Sequence, residues 1–178
     1  MRWSHLVRPG GHVLDVACGS GRHMRWFAQL GCAVTGVDQS AQALATAANF
    51  GDTLQADLEL APWPLGGQRF DGVVVTNYLW RPLFASLLVS LAPGGVLLYE
   101  TFAQGHELWG RPTRAEFLLA PGELLQACAG LHIVAYEEGF EQNPTRKIQR
   151  IAAINEVADQ RAPYPALGPA VNSHHRLA

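Results

Sequence analysis

Asp15, Asp38 and Asp57 each stand near the end of a short apolar stretch, and a run of small residues from Ala17 through Cys18, Gly19 and Ser20 to Gly21 follows the first. Carboxylates accept hydrogen bonds, and a bond to a charged acceptor is worth about 1.5 to 3 kcal/mol. Three of them on neighbouring strand ends would repel one another unless hydroxyls, amines or backbone N–H groups satisfied them. Glycines at 19 and 21 allow the backbone to approach a bound group closely. A second group, His106, Glu107, Trp109 and Arg111 within "TFAQGHELWGRP", offers a base, an acid, an aromatic wall and an anion partner. Tyr78 and Arg81, in "NYLWRP", add a phenol and a guanidinium.

The elements that must position these residues alternate between strand and helix. Val13–Val16, Ala33–Val37, Thr53–Ala56, Phe70–Val75, Val96–Phe102, Leu131–Tyr136 and Ile148–Ile154 read as strands, with three consecutive valines in the fourth suiting burial on both faces. Ser20–Leu30, a stretch capped by Ser40 and running to about Phe50, Pro82–Leu91 and Pro121–Ala129 read as helices from their apolar spacing and flanking glycines. "LELAPWPLGG" is too rich in proline and glycine to be helical. Right-handed crossovers then assemble an α/β protein with an open, doubly wound, mostly parallel sheet of seven strands. In such a sheet ligands sit beyond the carboxyl ends of the strands, which directs attention to residues 17–23, 38–40, 57–64, 76–81 and 101–112.

The 178 residues suffice for one domain, expected over 1–157, with an irregular tail over 158–178. The formal net charge is −2, Lys147 is the lone lysine, and the arginines are dispersed, which argues against nucleic acid as the main partner. Cys18, Cys32 and Cys128 form no paired motif, which suits a reducing, cytoplasmic setting and supplies no metal framework. His174 and His175 are adjacent in the tail, and adjacency alone is a poor metal signal, so no metal is expected. No apolar run reaches the roughly 18 to 20 residues of a membrane helix, and no membrane partner is expected.

An acid at position 38 is placed to accept from the vicinal hydroxyls of a ribose, which points to an adenosine-type ligand. The dinucleotide fingerprint needs a third glycine at position 24, where the chain has Met24. Four stretches in order, "VLDVACGSGRH", "VTGVDQS", "QADLELAPWPLGGQRFDGVVV" and "LAPGGVLLYET", resemble the successive motifs of class I S-adenosylmethionine-dependent methyltransferases across about residues 12–102. "NYLWRPLF" and "FLLAPGELL" are similar to small bacterial members of the tellurite-resistance type.

The resemblance implies a Rossmann-like methyltransferase fold, its seven-stranded sheet having an antiparallel last strand, and S-adenosylmethionine as cofactor. Asp15, Ala17, Cys18, Gly19 and Gly21 would line its methionine end, Cys18 through its backbone. Asp38, Gln39 and Ser40 would hold the ribose, Asp57 and the Leu58 backbone N–H the adenine, and Asn77 and Tyr78 would border the sulfonium. Tyr78, Arg81, His106, Trp109 and Arg111 are the expected substrate contacts, with Tyr78 and His106 as candidate bases. The place where amino-directed nucleobase methyltransferases carry a proline-proline-aromatic motif holds "TNYLW", which favours a small-molecule methyl acceptor. With about a dozen residues ahead of the first strand, the pocket is expected to be open, or completed by residues 101–112 or by a second subunit in a homodimer. The rival readings are a nicotinamide-dependent oxidoreductase and a non-catalytic binding protein of the same fold.

Each candidate also has a plainer explanation. Gly19 and Gly21 could simply make a tight turn, Asp38 could cap a helix, Asp57 could be a solvated loop acid, and Asp15 could organise the N–H groups of its own loop.

Overall fold

The computed structural model describes residues 2–156, so the expected tail over 158–178 lies outside the described residues. The chain runs β1 (His12–Val16), α1 (Arg22–Gln29), β2 (Ala33–Asp38), α2 (Ala41–Ala47), β3 (Asp52–Gln55), β4 (Phe70–Thr76), α3 (Phe84–Val89), β5 (Leu91–Phe102), α4 (Glu123–Ala127), β6 (His132–Gln142) and β7 (Thr145–Ile154). The seven strands form one sheet in the order β3-β2-β1-β4-β5-β7-β6. All neighbours pair in parallel except β7, which is antiparallel to both β5 and β6. The strand order reverses between β1 and β4, and ligands of open α/β sheets bind at such a reversal.

Burial on both faces explains the unbroken apolar runs of the central strands. Val73 and Val75 join one apolar cluster with Leu14, Val16, Val37 and Leu97, while Val74 joins a second with Val13, Met24, Phe27, Val34 and Leu98. Alternate residues of one strand therefore feed opposite layers, as the two-residue period requires.

The helices are shorter than the sequence predicts. α1 starts after Gly21, which holds a left-handed conformation (φ 81°), and α2 starts after Ser40, whose hydroxyl accepts from Ala43 N at 3.2 Å. The stretch expected to be helical from Pro82 opens instead as a 3-10 turn, Arg81–Leu83, because proline favours the first turn but supplies no N–H for a longer ladder. Residues 57–68 form no regular element, as their prolines and glycines predict. The β6–β7 hairpin is longer than expected, and its outer half, from Glu137 to Gln142, pairs with Thr145 to Arg150. Among the described residues no helix is long and apolar enough to cross a membrane.

Candidate functional site

Two cavities flank the sheet's reversal point. The smaller, about 200 Å³, lies against the ends of β1, β2 and β3 and is lined by Ala17, Asp38, Gln39, Ala56, Asp57, Leu58, Glu59 and Tyr78. The larger, about 430 Å³, lies between α1 and the ends of β4, β5 and β7, with Trp3, Arg22, His23, Trp26 and Thr76 among its walls. Residues 17–23 and 76–78 separate the two.

The tips of β1 and β4 are conformationally special. Among the described residues, Ala17 (φ 53°) and Asn77 (φ 54°) are the non-glycine residues with left-handed backbones, a conformation that disfavours a Cβ. Such geometry persists where surrounding bonds over-determine it. Asn77 N donates to Glu100 O at 2.9 Å, and Cys18 N, just after Ala17, donates to Val37 O at 3.0 Å. The Tyr99 hydroxyl donates to Tyr78 O at 2.9 Å, fixing the chain beyond β4 from β5.

The two glycines of the first loop do different jobs. A Cβ at Gly19 (φ 54°) would meet nothing within 4 Å, so the turn is sterically bare on that side. A Cβ at Gly21 would sit 2.9 Å from Ala47 Cα and 3.1 Å from Phe50, so Gly21 serves the packing of α1 on α2. Close packing on α2 is thus a reason for glycine at position 21 beside the expected ligand contact. A second close approach was missed in the sequence: a Cβ at Gly36 would clash with Met24 Sδ and lie 2.8 Å from Cys18 Sγ. The glycine that brings α1 near the sheet thus sits in β2, and Met24 fills the space it leaves.

Asp38 accepts from Gly19 N (2.8 Å) through Oδ2 and from Ser40 N (2.9 Å) through Oδ1. A carboxylate has about four lone-pair positions, so two remain for a ligand. Asp57 accepts from Glu59 N (2.9 Å) and Leu60 N (3.1 Å) through Oδ1 alone, leaving Oδ2 without a recorded partner beside the smaller cavity. Gln39 O takes the Gln55 side-chain amide at 3.1 Å, and the Ser40 hydroxyl is committed to capping α2. Leu58 is buried.

Asp15 is 1% exposed, and burial pushes its carboxyl up to about 7 against the opposing hydrogen bond from the Met24 backbone. Its Oδ1 lies 3.9 Å from His23 Nδ1, and its Oδ2 is buried without a partner. His23 Nδ1 also lies 3.2 Å from Thr76 Oγ1. The Cys18 thiol is pushed up to about 12, first by burial and then by Asp15 and Asp38, so it is an inert packing group.

The Tyr78 hydroxyl is buried without a partner. Burial and the nearby carboxylates of Glu59, Asp57 and Asp38 raise it above the ordinary phenol value, so it is a standing donor rather than the candidate base of the sequence reading. His106 is also corrected as a base. It is 4% exposed, its Nε2 lies 2.9 Å from Arg111 O, its Nδ1 accepts from Lys147 N at 3.4 Å, and its ring stacks on Phe102. Nε2 closes the 103–112 loop on itself, and Nδ1 ties that loop to β7.

Arg81 is likewise withdrawn from substrate contact. It makes paired bonds to Glu123 (2.6 and 2.9 Å) and donates to Glu116 O and Leu118 O, fastening the end of β4 to α4. Trp109 is 59% exposed against Phe140, and Arg111 is exposed. Neither lines either cavity. The larger cavity is instead lined by residues the sequence reading passed over. Arg146 and Arg150 both pair with Glu100 at 2.9 Å and with Glu141, and Arg150 also reaches Glu137.

The smaller cavity suits an adenosine-type group. It offers free acceptor positions on Asp38 and Asp57, an orphaned Tyr78 hydroxyl and a bare Gly19 turn, all converging at the reversal point.

Comparison with known proteins agrees with this geometry. Residues 13–95 match the family described as "Methyltransferase domain". Malonyl-[acyl-carrier protein] O-methyltransferase of Enterobacter lignolyticus is 38% identical over 106 residues, 54% of this chain and 41% of that protein. The chain therefore spans about two-fifths of that curated relative's length. The structure is similar to that of TehB from Haemophilus influenzae (TM-score 0.70, 21% identity, 86% of this chain and 60% of that one). It is also similar to that of a TehB-like SAM-dependent methyltransferase from Corynebacterium glutamicum (TM-score 0.63, 19% identity, 86% and 84%). Motif order, sheet order and the matched residues agree: residues 13–95 are similar to a methyltransferase domain, and the sheet has the fold shared with S-adenosylmethionine-dependent methyltransferases such as the TehB-like structures.

Proposed function

We propose that this protein transfers a methyl group from S-adenosylmethionine to a small-molecule acceptor. The observation that carries the reading is the smaller cavity, where Asp38, Asp57 and Tyr78 converge beside the bare turn at Gly19. Asp38 would accept from the ribose hydroxyls, Asp57 would take the adenine amino group with Leu58 N beside it, and residues 15–19 would receive the methionine arm. When bound, the cofactor supplies an activated methyl carbon on a sulfonium. The chain's own task is to orient the acceptor in line with that carbon and to exclude water, and orientation alone can supply on the order of 7 to 11 kcal/mol.

The larger cavity, about 430 Å³, is of the size that takes a small molecule, and it lies across residues 17–23 and 76–78 from the proposed nucleoside position. This supports a small acceptor reaching the sulfonium from the side of β4, β5 and β7. Three cysteines without disulfides are in keeping with a cytoplasmic setting. The nicotinamide alternative lacks support at position 24, where Met24 packs into the hollow of Gly36.

The test is isothermal calorimetry with S-adenosylhomocysteine. Saturable one-to-one binding is expected, with nicotinamide dinucleotides giving no heat; failure to bind S-adenosylhomocysteine would overturn the assignment.

A further inference from the structure

We propose that His23 is the general base of the acceptor cavity, which assigns the acceptor to the class whose nucleophile arrives carrying a proton, an alcohol, phenol or amine. The inference rests on the methyltransferase reading above and deepens it. His23 opens α1 directly after the cofactor loop, and its ring is one wall of the larger cavity. One side of the ring is spoken for: Nδ1 faces Thr76 Oγ1 at 3.2 Å and Asp15 Oδ1 at 3.9 Å. Thr76 Oγ1 within hydrogen-bond distance and, above the value of about 7 at which Asp15 ionises, a carboxylate oxygen behind it favour the tautomer with its proton on Nδ1. Nε2 then carries the lone pair. It has no hydrogen-bond partner among the described residues, and it is not among the fully buried orphan atoms, so it is open to the cavity.

The arrangement has the parts of a base with an orienting acid: the Asp15 carboxyl, ionised above about pH 7, behind the imidazole and a free nitrogen in front. Such donor–acceptor spacings are often long before substrate is bound. In the step itself the acceptor's lone pair bonds to the methyl carbon, and the carbon–sulfur bond breaks with its electron pair remaining on sulfur. The acceptor's proton passes to His23 Nε2 and from there to water at the cavity mouth. One positive charge is lost at sulfur as one appears on the imidazole, so the net charge of the site does not change.

Burial, with Arg22 beside it, pushes the His23 imidazole down to about 4, so the ring is neutral and able to accept before reaction. Asp15, 3.9 Å behind it, is placed to stabilise the transient imidazolium. No other titratable group seen at the cavity can take this role. Arg2, Arg22, Arg146 and Arg150 have no proton-accepting atom, Tyr99 gives its hydroxyl proton to Tyr78 O, and Glu100 and Glu141 are held by Arg146 and Arg150.

The experiment uses the full chain, His23→Ala and His23→Gln. Long-range proton–nitrogen spectra of the wild type without cofactor are expected to show Nδ1 protonated and Nε2 bare; the opposite tautomer would overturn the proposal. Calorimetry with S-adenosylhomocysteine is expected to give the variants an affinity within two-fold of wild type, which verifies their fold. Loss of binding in the wild type as well would instead sink the cofactor assignment on which this one rests. Labelled-methyl transfer is then measured to catechol and tryptamine as proton-bearing probes and to methanethiol as a readily ionised one. The wild type is expected to methylate catechol or tryptamine, and each variant to lose about 100-fold or more of that rate. Added imidazole is expected to restore His23→Ala in proportion to its unprotonated fraction. Undiminished rates in the variants, a loss that imidazole does not rescue, or wild-type transfer confined to methanethiol or to no probe, would each overturn it.

Discussion

Asp38 holds the Gly19 turn and the start of α2 with two bonds of 2.8 and 2.9 Å while keeping acceptor capacity for a ligand. Asp38→Ala is therefore expected to weaken S-adenosylhomocysteine binding by at least several-fold, since each lost bond to a charged acceptor is worth about 1.5 to 3 kcal/mol. Calorimetry checks this, and an unchanged affinity would mean that the ribose lies elsewhere. The carboxylates and the bare turn were legible in the sequence because acids at strand ends and glycines between a strand and a helix stand out against apolar neighbours. His23 was not, although it lies inside the quoted first motif. A histidine one position into a helix reads as ordinary surface until the fold brings Asp15 and Thr76 to one nitrogen and leaves the other in a cavity. His106 and Arg81 show the converse. Reactive side chains in a promising loop turned out to be consumed by backbone carbonyls, an accounting that spacing cannot reveal.

Between elements, the decisive contact is the seat of α1 on β2. Gly36→Ala would drive a methyl group into Met24 and Cys18, both buried, and overpacking of this kind costs about 1 to 3 kcal/mol. A melting temperature lower by several degrees is expected in thermal unfolding. An unshifted melt would show that α1 has slack. β1, β2 and β4 were read to within a residue because both their faces are covered and their apolar runs are unbroken, whereas β5 begins at Leu91, ahead of the expected Val96, because "APGG" read as a helix stop. The outer half of the β6–β7 hairpin was missed because "EEGFEQNPTRK" has no apolar alternation. It is stitched instead by pairs of opposite charge, Glu137 and Glu141 against Arg146 and Arg150. The same arginines form a wall of the acceptor cavity, so the cavity was as hard to foresee as the hairpin.

For the molecule as a whole, the buried Asp15 carboxyl couples stability to pH. Its folded value, about 7, exceeds the 3.8 of an exposed carboxyl, so the folded state holds the proton more tightly. The stabilisation is fully present below about pH 4 and is lost as pH rises through 7, so this group makes the protein progressively less stable across that window. Asp15→Asn is expected to flatten the decline and to raise the melting temperature at pH 8. Thermal melts between pH 4 and 8 read both effects, and an unaltered slope would mean that Asp15 is ionised throughout. The doubly wound sheet and its strand count were legible from alternation and chirality, and the antiparallel last strand from the resemblance to methyltransferases. The split of the crevice into two chambers was not, because it depends on how residues 17–23 and 76–78 meet in space.

Ala17 and Asn77, one on each of the two stretches that make that partition, carry left-handed backbones. Glycine at either position would relieve a steric cost and make the protein harder to melt, yet it would also free the hinge points that keep the two chambers in register. Selection for heat resistance alone would thus be drawn toward the substitutions that blur the aim of one chamber at the other, and a hardier protein obtained that way should be a slower one.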